Sequence, residues 1–142
     1  MDSNIKRQIM LENYTNPMGK GLVDDNSYVT IRANNESCID DINLQIKINN
    51  SIIEDIRFDG EACAISTSTT SVMIKLLKGK TIEEAKNIIN NYEDMINEKE
   101  YSEDILEEAN IYDEIYKQPN RIKCALLPWK AIKEIFNKLY ID

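Results

Sequence analysis

The chain has 142 residues, of which 42% are hydrophobic and 30% charged, and its net charge is -8. That is enough for one domain with its own core and short for two. The acidic balance argues against a non-specific nucleic-acid binder, which needs surplus Lys and Arg to neutralise phosphates, and it disfavours an anionic membrane surface.

The N-terminal stretch MDSNIKRQIMLENY mixes charge with apolar residues, so it does not read as a signal peptide. Ile5, Ile9, Met10 and Leu11 recur at helical spacing and predict a helix over Asn4–Tyr14, with Ser3 as N-cap. The stretch NPMGKG, Asn16 to Gly21, ends it, because Pro17 cannot continue a helix and the glycines permit a tight loop. Three strand-like runs follow, at Ser27–Ala33, Asp41–Ile48 and Ser51–Asp59. The second alternates Ile42, Leu44, Ile46 and Ile48 on one side with Asn43, Gln45 and Lys47 on the other. An Asn49-Asn50 turn favours a hairpin, and together the runs suggest a three-stranded antiparallel sheet with one wet face.

After Gly60 the period becomes helical. Ile65, Val72, Met73, Leu76 and Leu77 fit a helix from Ile65 to Lys78 that Gly79 ends. Thr81 and Glu84 read as a capping box for a helix with Ile82, Ala85, Ile88, Ile89, Tyr92, Met95 and Ile96 on one face. Residues 97–117 are rich in Glu and Asp and read as a solvated helical insertion. A last helix presents Trp129, Ile132, Ile135, Phe136 and Leu139 inward. Proline is tolerated only in the first helical turn, so Pro128 predicts a start no earlier than about Cys124. The expected fold is one α+β domain over residues 1–142, with the sheet packed against several helices.

The three cysteines, Cys38, Cys63 and Cys124, are an odd number, and there is no histidine. With no export signal the expected compartment is the cytoplasm, where thiols stay reduced. Such thiols are buried small hydrophobes, metal ligands or reactive groups. Cys38 and Asp40 fall in the loop before the second predicted strand, Cys63 lies just before a helix, and Cys124 lies at a predicted helix start. Three thiolates and a carboxylate would complete a tetrahedral zinc set with a net double negative charge, which Arg121 and Lys123 in RIKC would offset. The spacing is not specific for a metal. For Asp40 and Asp41 the competing reading is a turn or strand-start carboxylate. Trp129, Tyr92, Met73 and Met95 read as core.

The ordered blocks NPMGKG, SCIDDINLQI, FDGEACAIST, SVMIKLLKGKTIEEA and RIKCALLPWKAI resemble the SufU family, within the IscU-like iron–sulfur assembly proteins (the NifU N-terminal-like group). The resemblance runs from about Ile9 to the C-terminus. It implies zinc held by Cys38, Asp40, Cys63 and Cys124, and Cys38 as acceptor of persulfide sulfur. It implies a PLP-dependent cysteine desulfurase of the SufS kind as partner, and a downstream Suf scaffold or apo-proteins as recipients. Arg121 is a candidate for orienting Asp40 or the incoming persulfide. The acidic insertion and Lys123, where IscU-type scaffolds carry histidine, point the same way. The alternative is a scaffold assembling [2Fe–2S] on the same cysteines. Ile39 and Ala62 stand where the family has glycine, and Thr67-Ser68-Thr69 departs from its usual Ala-Ser, so the loop geometry is expected to differ.

Overall fold

The computed structural model describes residues 1–36 and 39–139. The elements run α1 (Ser3–Thr15), β1 (Val29–Asn34), β2 (Asp41–Asn49), β3 (Ile52–Glu61), α2 (Ala64–Leu77), α3 (Ile82–Ile96) and α4 (Pro119–Leu139). Two short 3₁₀ segments, Glu107–Tyr112 and Ile115–Lys117, lie between α3 and α4. The strands form an antiparallel sheet in the order β1-β2-β3.

The alternation in β2 sets the layers. Ile42, Leu44 and Ile46 are buried on one face with Ile53, Ile56 and Phe58 of β3. Helix α2 packs against β3, α4 against β1 and β2, and α1 and α3 against α2 and α4 respectively. The other face is less wet than the pattern predicts. Gln45 is buried there because the chain passes over it: its side chain accepts from the Val23 N–H and donates to the Val23 carbonyl, both at 2.9 Å. The NPMGKG loop is pinned to β3, where Phe58 N–H donates to the Gly19 carbonyl and Gly21 N–H to the Phe58 carbonyl. A Cβ on Gly19 would lie 2.6 Å from the Ile56 carbonyl oxygen, so this contact needs glycine.

The observed boundaries correct the sequence reading in four places. The N-cap of α1 is Asp2, whose carboxylate accepts from Ile5 N–H, so Ser3 is already helical. The β2–β3 turn is Asn50-Ser51, because Asn49 pairs with Ile52 and both turn residues have positive φ, as a two-residue I′ hairpin requires. The acidic stretch 97–117 is neither a regular helix nor fully solvated. Its helical pieces are the two 3₁₀ segments, and Leu106, Ala109, Ile111, Tyr112 and Ile115 are buried.

Helix α4 is the fourth and largest difference. It starts at Pro119, not near Cys124, and carries Pro128 in its interior. Pro128 removes the N–H that would serve the Cys124 carbonyl. Side chains reach the carbonyls of that turn: Ser66 Oγ lies 3.2 Å from the Cys124 carbonyl oxygen, and Tyr92 OH donates to the Ala125 carbonyl at 2.8 Å. Cys124 therefore sits in the second turn of α4, away from the helix N-terminus.

The capping box of α3 forms as the sequence predicts, with Glu84 N–H on Thr81 Oγ1 and Thr81 N–H on the Glu84 carboxylate. Replacing Thr81 with alanine is expected to cost about 1 kcal/mol, measured as a lowered urea midpoint with an unchanged slope.

Candidate metal centre

Strand pairing builds half of the site. Asp41 pairs with Glu61, so the residue before β2 and the second residue after β3 meet at one end of the sheet. There Asp40 Oδ1 accepts from the Cys63 N–H at 2.9 Å. The Asp40 carbonyl closes the preceding loop by accepting from Asn35 N–H. Asp41 points elsewhere, into an exposed two-bond pairing with Arg32 at 2.8 and 2.7 Å. The two neighbouring aspartates thus separate cleanly: Asp41 is the surface strand-start carboxylate, and Asp40 is only 2% exposed.

Cys63 is the N-cap of α2, and its Sγ accepts from the Ser66 N–H at 3.4 Å. A sulfur at this position faces the positive end of the helix. Cys124 comes from α4, which crosses α2, and is buried at 1% exposure. One donor atom each from Asp40, Cys63 and Cys124 lies within 4.8 Å of the others. Thiolate and carboxylate donors around a tetrahedral ion stand roughly 3–4 Å apart, given bond lengths of about 2.0–2.3 Å. A contraction of about 1 Å would bring these three to that spacing, so the donor set fits a thiophilic cation.

Of the other residues singled out from the sequence, Cys38 lies outside the described residues. Arg121, in the first turn of α4, is exposed and lines a cavity of about 630 Å³ with Cys63, Lys6, Arg7 and Lys117. Lys123 faces a different hollow, with Asn35, Leu126 and Lys130. The two cations of RIKC therefore line different hollows, and only that of Arg121 includes a residue of the cluster.

The sequence reading missed Ser66. Its hydroxyl donates to Asp40 Oδ2 at 2.5 Å, and the Cys63 thiol lies 3.5 Å from the Ser66 hydroxyl oxygen. Ser66 is fully buried, as are Ser68, Thr69, Thr70 and Ser71. A run of hydroxyls inside a core helix was the available signal, because each must find a partner there. Trp129 Nε1 donates to Thr69 Oγ1, Tyr112 OH bonds Ser68 Oγ, and Ser71 donates to Asn13. Tyr92 stacks on Trp129 at 3.9 Å, and both rings are fully buried core.

Burial is the strongest single influence on the Asp40 carboxyl and pushes its pKa up. The bonds from Ser66 and the Cys63 N–H, with help from the two thiols, outweigh it, so the carboxyl stays below the usual value of 3.8 and ionised near neutrality.

The fold and this cluster define a class: a small α+β domain that gathers a buried thiol, a half-buried thiol and a buried carboxylate at one end of a three-stranded sheet. Residues 5–138 match the NifU-like N terminal domain, and the chain belongs to that family. It is 39% identical over 129 residues to the zinc-dependent sulfurtransferase SufU of Bacillus subtilis, covering 90% of this chain and 86% of that one. It is 31% identical over 120 residues to the iron–sulfur cluster assembly scaffold protein IscU of Thermotoga maritima, covering 84% of each. A crystal structure from Fervidobacterium islandicum, described as an iron–sulfur cluster assembly scaffold protein for the SUF system, superposes with a TM-score of 0.85 at 31% identity, covering 89% of this chain and 93% of that one.

Proposed function

We propose that this chain is a zinc-dependent sulfurtransferase that accepts persulfide sulfur from a cysteine desulfurase for iron–sulfur cluster assembly. The observation that carries the reading is the convergence of Asp40, Cys63 and Cys124 from three separate elements. The likeness to a zinc-dependent sulfurtransferase over 90% of the chain supports it. Cys38, two residues before Asp40 in sequence, is the proposed fourth ligand and the sulfur acceptor. Zinc bound there would keep the thiols deprotonated at neutral pH.

The residues divide the work. Asp40, Cys63 and Cys124 hold the cation from buried or half-buried positions. The Cys38 thiolate attacks the outer sulfur of a persulfide on the partner. A new sulfur–sulfur bond forms on Cys38, the old one breaks, and its electron pair leaves as the partner's thiolate, with no net redox change. Arg7 and Arg121, which make no ion pair among the described residues, give the cavity beside Cys63 a positive edge in an otherwise acidic protein. That edge suits the approach of an anionic persulfide. The partner is a PLP-dependent desulfurase of the SufS kind, and the place of action is the cytoplasm. No helix among the described residues is long and apolar enough to cross a membrane.

Cys38→Ala is expected to abolish stimulation of desulfurase turnover by at least tenfold (about 1.4 kcal/mol) while the circular dichroism spectrum is kept. Undiminished stimulation would remove Cys38 from the role. The scaffold relatives favour a second reading, assembly of [2Fe–2S] on the same thiols. Anaerobic reconstitution followed by transfer to an apo-ferredoxin separates the two, because the sulfurtransferase reading predicts no transferable cluster.

A further inference from the structure

Ser66 occupies the centre of the site without being a candidate ligand. Its oxygen lies 2.5 Å from Asp40 Oδ2, 3.5 Å from the Cys63 sulfur and 3.2 Å from the Cys124 carbonyl oxygen. It thus touches all three residues of the cluster, and it is fully buried. A serine hydroxyl has a single hydrogen to give. The Asp40 carboxylate is the nearer acceptor, and the Cys124 carbonyl competes for the same hydrogen. That carbonyl stands four residues before Pro128 in α4, which has no N–H to give it.

We propose that Ser66 is the positioning residue that fixes Asp40 for its cation, and that Pro128 tunes that hold by leaving the Cys124 carbonyl as a rival acceptor for the same hydroxyl. The proposal rests on the reading of Asp40 as a metal ligand. The Cys63 N–H on Oδ1 and the Ser66 hydroxyl on Oδ2 together set the plane of the carboxylate. Each oxygen keeps a further lone pair for a cation. Without Ser66 only one of the two bonds remains, and the carboxylate can swing about it. With an N–H at position 128, one lone pair of the Cys124 carbonyl would be engaged within α4, and it would compete less well with Asp40 for the Ser66 hydrogen. The proline thus places the grip on Asp40 below its maximum.

The test compares wild type, Ser66→Ala, Pro128→Ala and the double variant. The readouts are release of Zn²⁺ to a chromogenic chelator and the absorption spectrum of the Co²⁺-loaded proteins. Groups hydrogen-bonded to metal ligands are worth roughly 10–100-fold in metal affinity. Ser66→Ala is therefore expected to bind Zn²⁺ about 10–100-fold more weakly. At saturating Co²⁺ its thiolate-to-metal absorption should persist while the ligand-field bands shift, because the carboxylate and not a sulfur has loosened. Pro128→Ala is expected to slow Zn²⁺ release several-fold in the wild-type background and to leave it unchanged when Ser66 is absent. An unaltered affinity and ligand-field spectrum in Ser66→Ala would overturn the proposal. So would a Pro128→Ala effect of equal size in both backgrounds, which would mark it as general stiffening of α4. If Ser66→Ala does not fold, Pro128→Ala alone decides: release unchanged from wild type overturns the proposal. Wild-type protein that takes up neither metal would sink the underlying site as well, so the two failures are distinguishable.

Discussion

Replacing Asp40 with alanine is expected to weaken zinc binding by more than the roughly 10–100-fold typical of losing a ligand's hydrogen-bond partner, because here a proposed ligand itself goes. The metal-free protein should lose about 1–3 kcal/mol as well, the cost of a stranded buried donor. The stranded group is the Cys63 N–H, since the Ser66 hydroxyl can turn to the Cys124 carbonyl. Asp40→Asn separates the two effects. Its amide keeps the shape and can still accept from Cys63, so the stability should largely return while the metal affinity does not. The acid limb supplies a further check on the metal-free protein. The Asp40 carboxyl is held below its ordinary value by hydrogen bonds that overcome its burial. A group depressed in the folded state stabilises above its unfolded pKa of about 3.9, and that contribution is lost as the pH falls through the folded value. Stability should therefore fall less steeply with acid in Asp40→Asn than in wild type. Equal zinc affinity in wild type and both variants, measured by competition with a chelator, would remove Asp40 from the site.

Gly60→Ala is expected to be the most destabilising single methyl addition in the sheet. Gly60 has φ of 128° and pairs with Ile42, and a Cβ there would lie 2.3 Å from the Asp41 carbonyl oxygen and 2.9 Å from the Ile42 Cα. Both obstacles are backbone, so no side chain can move aside. The left-handed conformation costs about 1–3 kcal/mol for a residue with a Cβ, and forced overpacking adds about 1–3 kcal/mol. A loss of about 2–6 kcal/mol in urea unfolding follows from their sum. The displaced strand end carries Asp40 on one side and Cys63 on the other, so metal binding should weaken in parallel. A loss below about 1 kcal/mol would mean that β2 and β3 separate there at little cost.

The parts of this protein that the sequence reveals are those governed by near neighbours. The alternation of Ile42, Leu44 and Ile46 specifies a strand and its buried face, because side chains of a strand point alternately to opposite sides. The Thr81–Glu84 box closes within a single turn. Cys63 just ahead of a helical run becomes an N-cap for the same local reason. Where residues distant in sequence decide, the local rules mislead. Gln45 alternates like a surface residue, yet the segment carrying Val23 buries it. The acidic content of 97–117 hides five residues that reach the core, four from short 3₁₀ segments and Leu106 just ahead of the first.

Composition, strand period and capping signals determined the α+β class, the three-stranded sheet and the types of ligand atom on offer, because each rests on contacts within a few residues. Only the tertiary structure decided that Asp40 and not Asp41 turns inward, that Cys124 meets Cys63 from the interior of a helix, and that Ser66 joins them. The reason is visible at Pro128: a rule drawn from isolated helices forbids it there, but packing of α2 and α3 against α4 brings hydroxyl donors to the Cys124 and Ala125 carbonyls in the turn before it. Those donors come from elements far away in the chain, so no local pattern could announce them.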